Sequence, residues 1–119
     1  MKVVRMRDVG HDIVSGALFP KGTVERRLLI NKEESAQLSF TMLRFEAGAE
    51  NAWHVHTADQ AVLVLEGTAI CATEHETREV TTADVVIFPA GENHVHGPKP
   101  GESCCFLSIT PAGTTTTVT

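Results

Sequence analysis

The chain lacks a long apolar run, a basic face and an even set of cysteines, and each absence excludes a class of protein. The segment from Met1 to Asp8 carries charged residues where a signal peptide needs continuous apolar sequence. No later run approaches the length that spans a membrane. We therefore expect a cytoplasmic protein with no membrane partner.

The charge balance offers no surface for nucleic acid. The formal net charge is −5, and the basic residues in Lys2–Arg7 and Lys21–Arg27 are interrupted by apolar and acidic residues. A phosphate backbone is bound by clustered lysine and arginine. Nucleic acid is therefore not an expected partner.

The cysteines do not form a disulfide framework. There are three, and adjacent residues of a strand point to opposite faces, so Cys104 and Cys105 are poorly placed to bridge each other. We expect Cys71, Cys104 and Cys105 to be buried free thiols. A metal or redox role for one of them is the alternative.

The residues that are present predict one all-β domain. A chain of 119 residues can build one core, whereas two domains would each be too small. No window of ten or more residues shows a helical period, and short apolar runs are separated by glycine and proline turns. This pattern predicts a sandwich or a closed barrel.

Six segments carry the strand pattern. They are Leu38–Phe45, Ala61–Leu65, the hairpin Thr68–Thr73 with Thr77–Val80, Val85–Phe88 and Cys104–Ile109. One or two further strands are expected within Gly16–Ile30. The Glu66-Gly67 pair reads as a turn that ends Ala61–Leu65, and the tail 114–119 is expected to be frayed or to lie along an edge.

Four of the six histidines lie in two short clusters, which predicts a metal site. Residues i and i+2 of a strand project to the same side, so His54 and His56 can bind one ion. Gln60 follows a short loop, and we expect it to begin the next strand and to face the histidine pair. His94 lies on a separate segment. Three imidazoles and one amide oxygen would leave one to three open positions, as in a reactive site. A histidine pair alone more often lies at the surface or in the core without binding a metal. The third histidine favours the metal site.

His96 shares a face with His94. We expect it to contact substrate or to carry protons beside the metal, and a wall histidine with satisfied hydrogen bonds is the alternative. Five further side chains near these segments or elsewhere are expected to be solvent-exposed: His11, His75, Glu50, Asp59 and Glu92.

The two clusters resemble the two motifs of the cupins, a family of small jelly-roll barrels. The first motif spaces glycine, two histidines, glutamate and glycine as Gly48, His54, His56, Gln60 and Gly67 are spaced here. The second motif has glycine, proline, glycine, histidine and asparagine where this chain has Ala83, Pro89, Gly91, His94 and Pro98. The resemblance implies a single cupin domain over residues 1–119, with motif one at 48–67 and motif two at 83–98. It also implies one divalent transition metal ion, such as Fe, Mn, Ni, Cu or Zn, held by His54, His56, Gln60 and His94.

Gln60 is the departure from the family pattern that changes the chemistry. An amide is neutral, so the ion keeps both positive charges, one of which a carboxylate would cancel. Such a site should favour anionic, chelating substrates and a more Lewis-acidic metal. Gln60 cannot take a proton either, so another base is needed, and His96 is the candidate. A three-histidine site with Gln60 unbound, as in some cupin dioxygenases, is the alternative.

Three functions are compatible with this site, and no residue is assigned to catalysis from the sequence. The resemblance implies a mononuclear non-haem enzyme of the dioxygenase type, acting on a small enol, phenolic or carboxylate substrate. The barrel would be lined by Val62, Val64, Ile87 and Phe106. An oxygen-independent lyase, isomerase or decarboxylase is the second function, and a non-catalytic module that binds a metal or a small molecule is the third.

The N-terminal segment Lys2–Arg7 alternates in polarity, which suits an edge strand. Cupin barrels commonly pair by exchanging or adding edge strands, and an exposed apolar edge is a liability for a monomer. We therefore expect a homodimer to which this segment contributes a strand.

Overall fold

Ten strands form one curled sheet that closes around a buried interior. The computed structural model describes residues 1–119. The strands are β1 (Asp12–Val14), β2 (Val24–Ile30), β3 (Leu38–Phe45), β4 (His54–His56), β5 (Gln60–Thr73), β6 (Thr77–Thr81), β7 (Val85–Phe88), β8 (His94–Pro98), β9 (Cys104–Pro111) and β10 (Thr116–Val118). They run in the order β1-β2-β3-β9-β5-β8-β4-β10, and β6 and β7 also pair with β5. The predicted all-β jelly-roll barrel is confirmed.

Helix is nearly absent, as the sequence pattern predicts. The one helical segment is a 3-10 turn at Met6–Asp8. The chain contains no helix of the length and apolar character needed to cross a membrane.

Strand β5 joins the two sides of the barrel. Its first half pairs with β7 and β9, and its second half pairs with β6 and β8. The register against β9 shifts between Val64 and Glu66, and the strand then continues through Gly67. The predicted strand end at Glu66-Gly67 is therefore wrong. Gly67 has a φ of 79°, and a Cβ at this position would come within 2.2 Å of the Ser103 backbone oxygen, so glycine permits a bulge and a close strand contact.

The remaining predicted strands are present. Leu38–Phe45 and Val85–Phe88 have the predicted bounds, and the predicted hairpin forms from the second half of β5 and β6. The predicted strand at Cys104–Ile109 runs on to Pro111, and Gly16–Ile30 contributes β2.

The barrel core is built from the inward faces of these strands. Val62, Val64 and Phe106 are buried as predicted, together with Phe45. The expectation that Ile87 lines the barrel is wrong, because its side chain is 57% exposed. The segment that contains Ile87 is apolar at every position, so alternation could not indicate which residues face inward.

All three cysteines are free and buried, as predicted. Cys104 belongs to the inner core, whereas Cys105 packs with Leu29 and Met42 in a second cluster on the outer face of the sheet. Burial raises the pKa of Cys71 to about 11 and that of Cys104 to about 12. These thiols are therefore poor nucleophiles and serve as core residues.

The two ends of the chain lie against the sheet, and the contribution of Lys2–Arg7 as a strand to a partner stays a prediction. Lys2–Arg7 forms no strand within the chain; Met6 and Val9 instead pack against the outer cluster, and Arg27 donates to the Val9 backbone oxygen. At the other end the tail is not frayed, because Thr116–Val118 forms β10 and pairs with β4. The alternative position along an edge is the one observed.

Candidate metal centre

Three histidines from two paired strands converge inside the barrel. His54 and His56 lie on one face of β4, and His94 at the start of β8 is the register partner of His54. All three are buried, and each offers a ring nitrogen within 4.8 Å of the others. The structure thus brings together the histidines that the spacing predicts, and together they could hold a metal ion.

Two of these rings are held in the tautomer that a metal requires. The His54 Nδ1 atom lies 2.6 Å from the Ala52 backbone oxygen, and the His94 Nδ1 atom lies 2.8 Å from the Glu92 backbone oxygen. A carbonyl oxygen can only accept, so Nδ1 carries the hydrogen and Nε2 keeps its lone pair. Burial lowers the pKa of His94 to about 4 and also lowers that of His54. Both rings are therefore neutral near pH 7, the form in which imidazole binds a metal.

His56 is held differently. Its Nδ1 atom lies 2.8 Å from the Thr116 Oγ1 atom on β10, and its Nε2 atom lies 3.1 Å from Gln60 Oε1. Burial lowers the pKa of His56 as well, and the neighbouring His54 adds to the effect. The partner of His56 Nδ1 is thus a hydroxyl, which can either donate or accept a hydrogen bond.

The Gln60 side chain points its amide oxygen at the same centre. Oε1 lies 3.1 Å from Nε2 of His56 and 3.1 Å from Nε2 of His94, while the Gln60 Nε2 atom donates to Ser108 Oγ at 2.9 Å. Because His94 Nε2 carries no hydrogen, two lone pairs face each other across that contact. Two ligand atoms about 2.1 Å from one ion and at right angles to each other are about 3.0 Å apart. The donor set therefore fits a divalent ion between these atoms.

His96 lies in the same wall but outside the cluster of three. Its ring is 2% exposed and its centroid lies 5.7 Å from that of His54. It is enclosed by aromatic rings, including Phe106 at 5.1 Å between centroids, and burial holds its pKa well below the usual value. Its Nδ1 atom has no hydrogen-bond partner. An unpaired buried nitrogen is costly, and no protein group satisfies this one, so the alternative of a fully satisfied wall histidine does not hold.

A cavity of about 360 Å³ opens onto this centre. Its apolar lining comes from Leu18, Phe19, Leu28 and Leu43, and its hydroxyl lining comes from Thr41, Ser108, Thr110, Thr114 and Thr116. The charged side chain in the lining is Arg26, whose guanidinium is 2.7 Å from the Asp12 carboxylate. The cavity is thus suited to a small, neutral and partly apolar molecule.

Four of the five side chains expected to be solvent-exposed are exposed. His11, His75, Glu50 and Asp59 are exposed, whereas Glu92 is half-buried and meets His94 only through its backbone oxygen.

Sequence reasoning missed two polar contacts of the centre. Ser108 could have been predicted, because it lies two residues after Phe106 on β9 and therefore shares its inward face. No sequence pattern distinguishes Thr116, because it lies in a run of identical threonines.

Comparisons with known proteins identify the family of the chain. A family profile described as "Cupin domain" matches residues 41–110, the part of the chain that holds both histidine clusters. Among curated proteins, the (R)-mandelonitrile lyase of Granulicella tundricola is 34% identical over 89 residues, which is 74% of this chain and 68% of that protein.

Solved structures share the same barrel. The polyketide cyclase RemF from Streptomyces resistomycificus superimposes with a TM-score of 0.87 at 24% identity, covering 99% of this chain and 84% of that chain. A protein described as a predicted oxalate decarboxylase from Thermotoga maritima gives a TM-score of 0.80 at 22% identity, covering 91% of this chain and 96% of that chain. These likenesses show the fold. The family profile covers the strands that carry the histidines, and the barrel closes around them, so the chain belongs to the cupin family.

Proposed function

We propose that this cupin is a metal-dependent lyase that cleaves a carbon–carbon bond beside a hydroxyl group in a small neutral molecule, a cyanohydrin in the first place. The observation that carries the proposal is the uncharged donor set of three imidazoles and one amide oxygen beneath a small cavity without a free charge. The substrate class is supported by the relative named (R)-mandelonitrile lyase, which is 34% identical.

The metal would be held by His54, His56 and His94, with Gln60 Oε1 as the fourth ligand. Bound there, a divalent ion would supply Lewis acidity, which lowers the pKa of a substrate hydroxyl. The four donors carry no charge, so they cancel none of the charge of the ion. Imidazole and amide donors accept Fe, Mn, Ni, Cu or Zn, and metal analysis will distinguish these.

We assign His96 as the group that accepts the proton of the substrate hydroxyl. Its Nδ1 atom is buried without a partner, and its ring is neutral and lines the cavity beside His54. The hydroxyl proton of a cyanohydrin passes to the imidazole of His96, the oxygen electron pair forms the carbonyl bond, and the bond to the nitrile carbon breaks. Cyanide leaves with the electron pair and then takes the proton from His96. The products are an aldehyde or ketone and hydrogen cyanide, and no oxidant is consumed.

The cavity wall would position the rest of the substrate. Phe19, Leu28 and Leu43 provide an apolar surface for an aryl or alkyl group. The Arg26 guanidinium is already paired with Asp12, so no free cation is available for a substrate carboxylate. This lining favours a neutral substrate over the anionic, chelating substrate expected from the charge of the metal alone.

A dioxygenase is the second candidate, and one feature favours it. His54, His56 and His94 could hold an ion without Gln60, and such an ion would supply the chemistry of O2 activation. The two candidates differ in their need for oxygen.

Cyanide release from racemic mandelonitrile, measured in air and under nitrogen, separates these functions. We expect equal rates in both atmospheres, a large loss in the His94→Ala variant and no loss in His75→Ala, which removes an exposed histidine as the matched control. Oxygen uptake should be measured in parallel with phenolic, diketone and carboxylate compounds. Substrate-dependent uptake without cyanide release would establish the dioxygenase instead, and the absence of both would leave a binding module.

A further inference from the structure

The C-terminal strand reaches one of the metal-binding histidines. β10 lies antiparallel to β4 with Thr116 opposite His56, and the Thr116 Oγ1 atom is 2.8 Å from His56 Nδ1. Thr115 exchanges backbone and side-chain hydrogen bonds with Thr57, and Thr119 Oγ1 donates to Asn93 Oδ1 at 2.8 Å. The tail is therefore anchored beside both histidine clusters.

The contact matters because of the tautomer of His56. The other two histidines donate from Nδ1 to backbone carbonyls, which fixes their Nε2 atoms as acceptors. For His56, one tautomer donates from Nδ1 to Thr116 and leaves Nε2 free for a metal. The other tautomer donates from Nε2 to Gln60 Oε1, which lies 3.1 Å away, and cannot bind a metal.

We propose that Thr116 is a positioning residue of the metal centre: its hydroxyl accepts the Nδ1 hydrogen of His56 and so directs the Nε2 lone pair at the ion. The inference rests on the proposed metal site. It gives the threonine-rich tail a specific role, because without this acceptor the hydrogen of the ring moves to Nε2 and bonds to Gln60. Outer partners of ligating histidines orient the ring in this way and commonly change metal affinity by about 10- to 100-fold.

Three variants test this role. Thr116→Val removes the hydroxyl and keeps the branched shape, Thr116→Ser keeps the hydroxyl, and Thr117→Val makes the same change one residue further along, opposite Val55. The affinity of each metal-free protein for Zn²⁺ is measured by competition with a chromogenic chelator at neutral pH. We expect Thr116→Val to bind about 10- to 100-fold more weakly than the wild type, and the other two variants to stay within about 3-fold of it.

The tautomer provides a readout that a purely structural role would not change. The imidazole ¹⁵N shifts of His56 in the metal-free protein should show the hydrogen on Nδ1 in the wild type and in Thr116→Ser, and on Nε2 in Thr116→Val. Unchanged affinity and tautomer in Thr116→Val would overturn the positioning role, and so would an equal loss in Thr117→Val. If the wild type itself binds no Zn²⁺, the metal site fails; if it binds Zn²⁺ tightly and Thr116→Val matches it, only the positioning role fails.

Discussion

The Oε1 atom of Gln60 lies 3.1 Å from the Nε2 atom of His94, and neither atom carries a hydrogen. Two facing lone pairs repel each other, and a cation between the two atoms would remove this repulsion. Replacing the amide by a carboxylate in Gln60→Glu should therefore strengthen metal binding by about 10-fold or more, because the new charge attracts the ion directly. The same charge should slow cyanohydrin cleavage, since the metal becomes a weaker Lewis acid.

Gln60→Ala provides the complementary measurement. It should weaken metal binding less than an alanine at any of the three histidines, because an amide is a weak oxygen donor. Metal affinities that are the same in Gln60→Glu, Gln60→Ala and the wild type would show that Gln60 is not a ligand.

His96 can be separated from the metal by substitution. His96→Phe keeps a flat ring among Phe88 and Phe106 and removes the proton acceptor. We expect unchanged metal content and a loss of cyanide release of about 100- to 10,000-fold, the usual contribution of a general base. The free energy of unfolding should not fall, and a rise of about 1 kcal/mol is expected because an unpaired buried nitrogen is removed. Wild-type activity in this variant would remove His96 from the mechanism.

The stability of the metal-free protein should depend on pH through His94. The unfolded chain binds a proton at this residue below its ordinary pKa of 6.5, whereas burial lowers the pKa in the folded chain to about 4. Between these values the unfolded state binds more protons, so the free energy of unfolding falls as the pH falls through this window. His94 alone should remove about 3 kcal/mol at the acid end, from the difference between 6.5 and about 4.

Urea unfolding at a series of pH values, with the metal removed by a chelator, measures this dependence. His94→Gln should reduce the slope of the profile between pH 4 and 6.5, where the other buried histidines still contribute, while His75→Gln, at an exposed position, should leave it unchanged. A profile that is flat in the wild type would contradict the neutral, buried state of the ring.

The histidine pair and its distant partner could be predicted because their positions follow from strand geometry. Alternation places His54 and His56 on one face, and the loop that follows brings Gln60 to the start of β5 facing the same centre. These relations are local, so the sequence contains them. His94 lies nearly forty residues after the histidine pair, so its place in the site depends on a distant contact. The spacing of the cupin motifs predicted it.

The features that could not be predicted depend on contacts between distant segments. Gly67 reads as a turn in sequence, but only the approach of Ser103 shows that it permits a bulge within a continuous strand. Ile87 lies in a run with no alternation, so its outward direction follows from the stacking of Phe88 on His94, with ring centroids 3.9 Å apart. The role of Thr116 depends on where the tail pairs, and a run of identical residues gives no register.

We propose that the protein is a homodimer, and the outer face of the sheet supports this more directly than the N-terminal segment does. Val85 and Ile87 are 62% and 57% exposed on β7, beside half-buried apolar residues of β5. Exposed apolar patches of this kind commonly mark interfaces. Light scattering should give twice the mass of one chain, and Ile87→Lys should reduce it. Ile13→Lys, at a similarly exposed position of β1, is the matched control, and a monomeric mass in the wild type would contradict the proposal.

The metal content of the purified protein tests the central claim most directly. Elemental mass spectrometry should find one divalent ion per chain in the wild type, and a loss of at least about 10-fold in each of His54→Ala, His56→Ala and His94→Ala, because each removes one of the three neutral donors. The His75→Ala variant should keep the full content. Full occupancy in the His94→Ala variant would contradict the site, and with it the function that we derive from it.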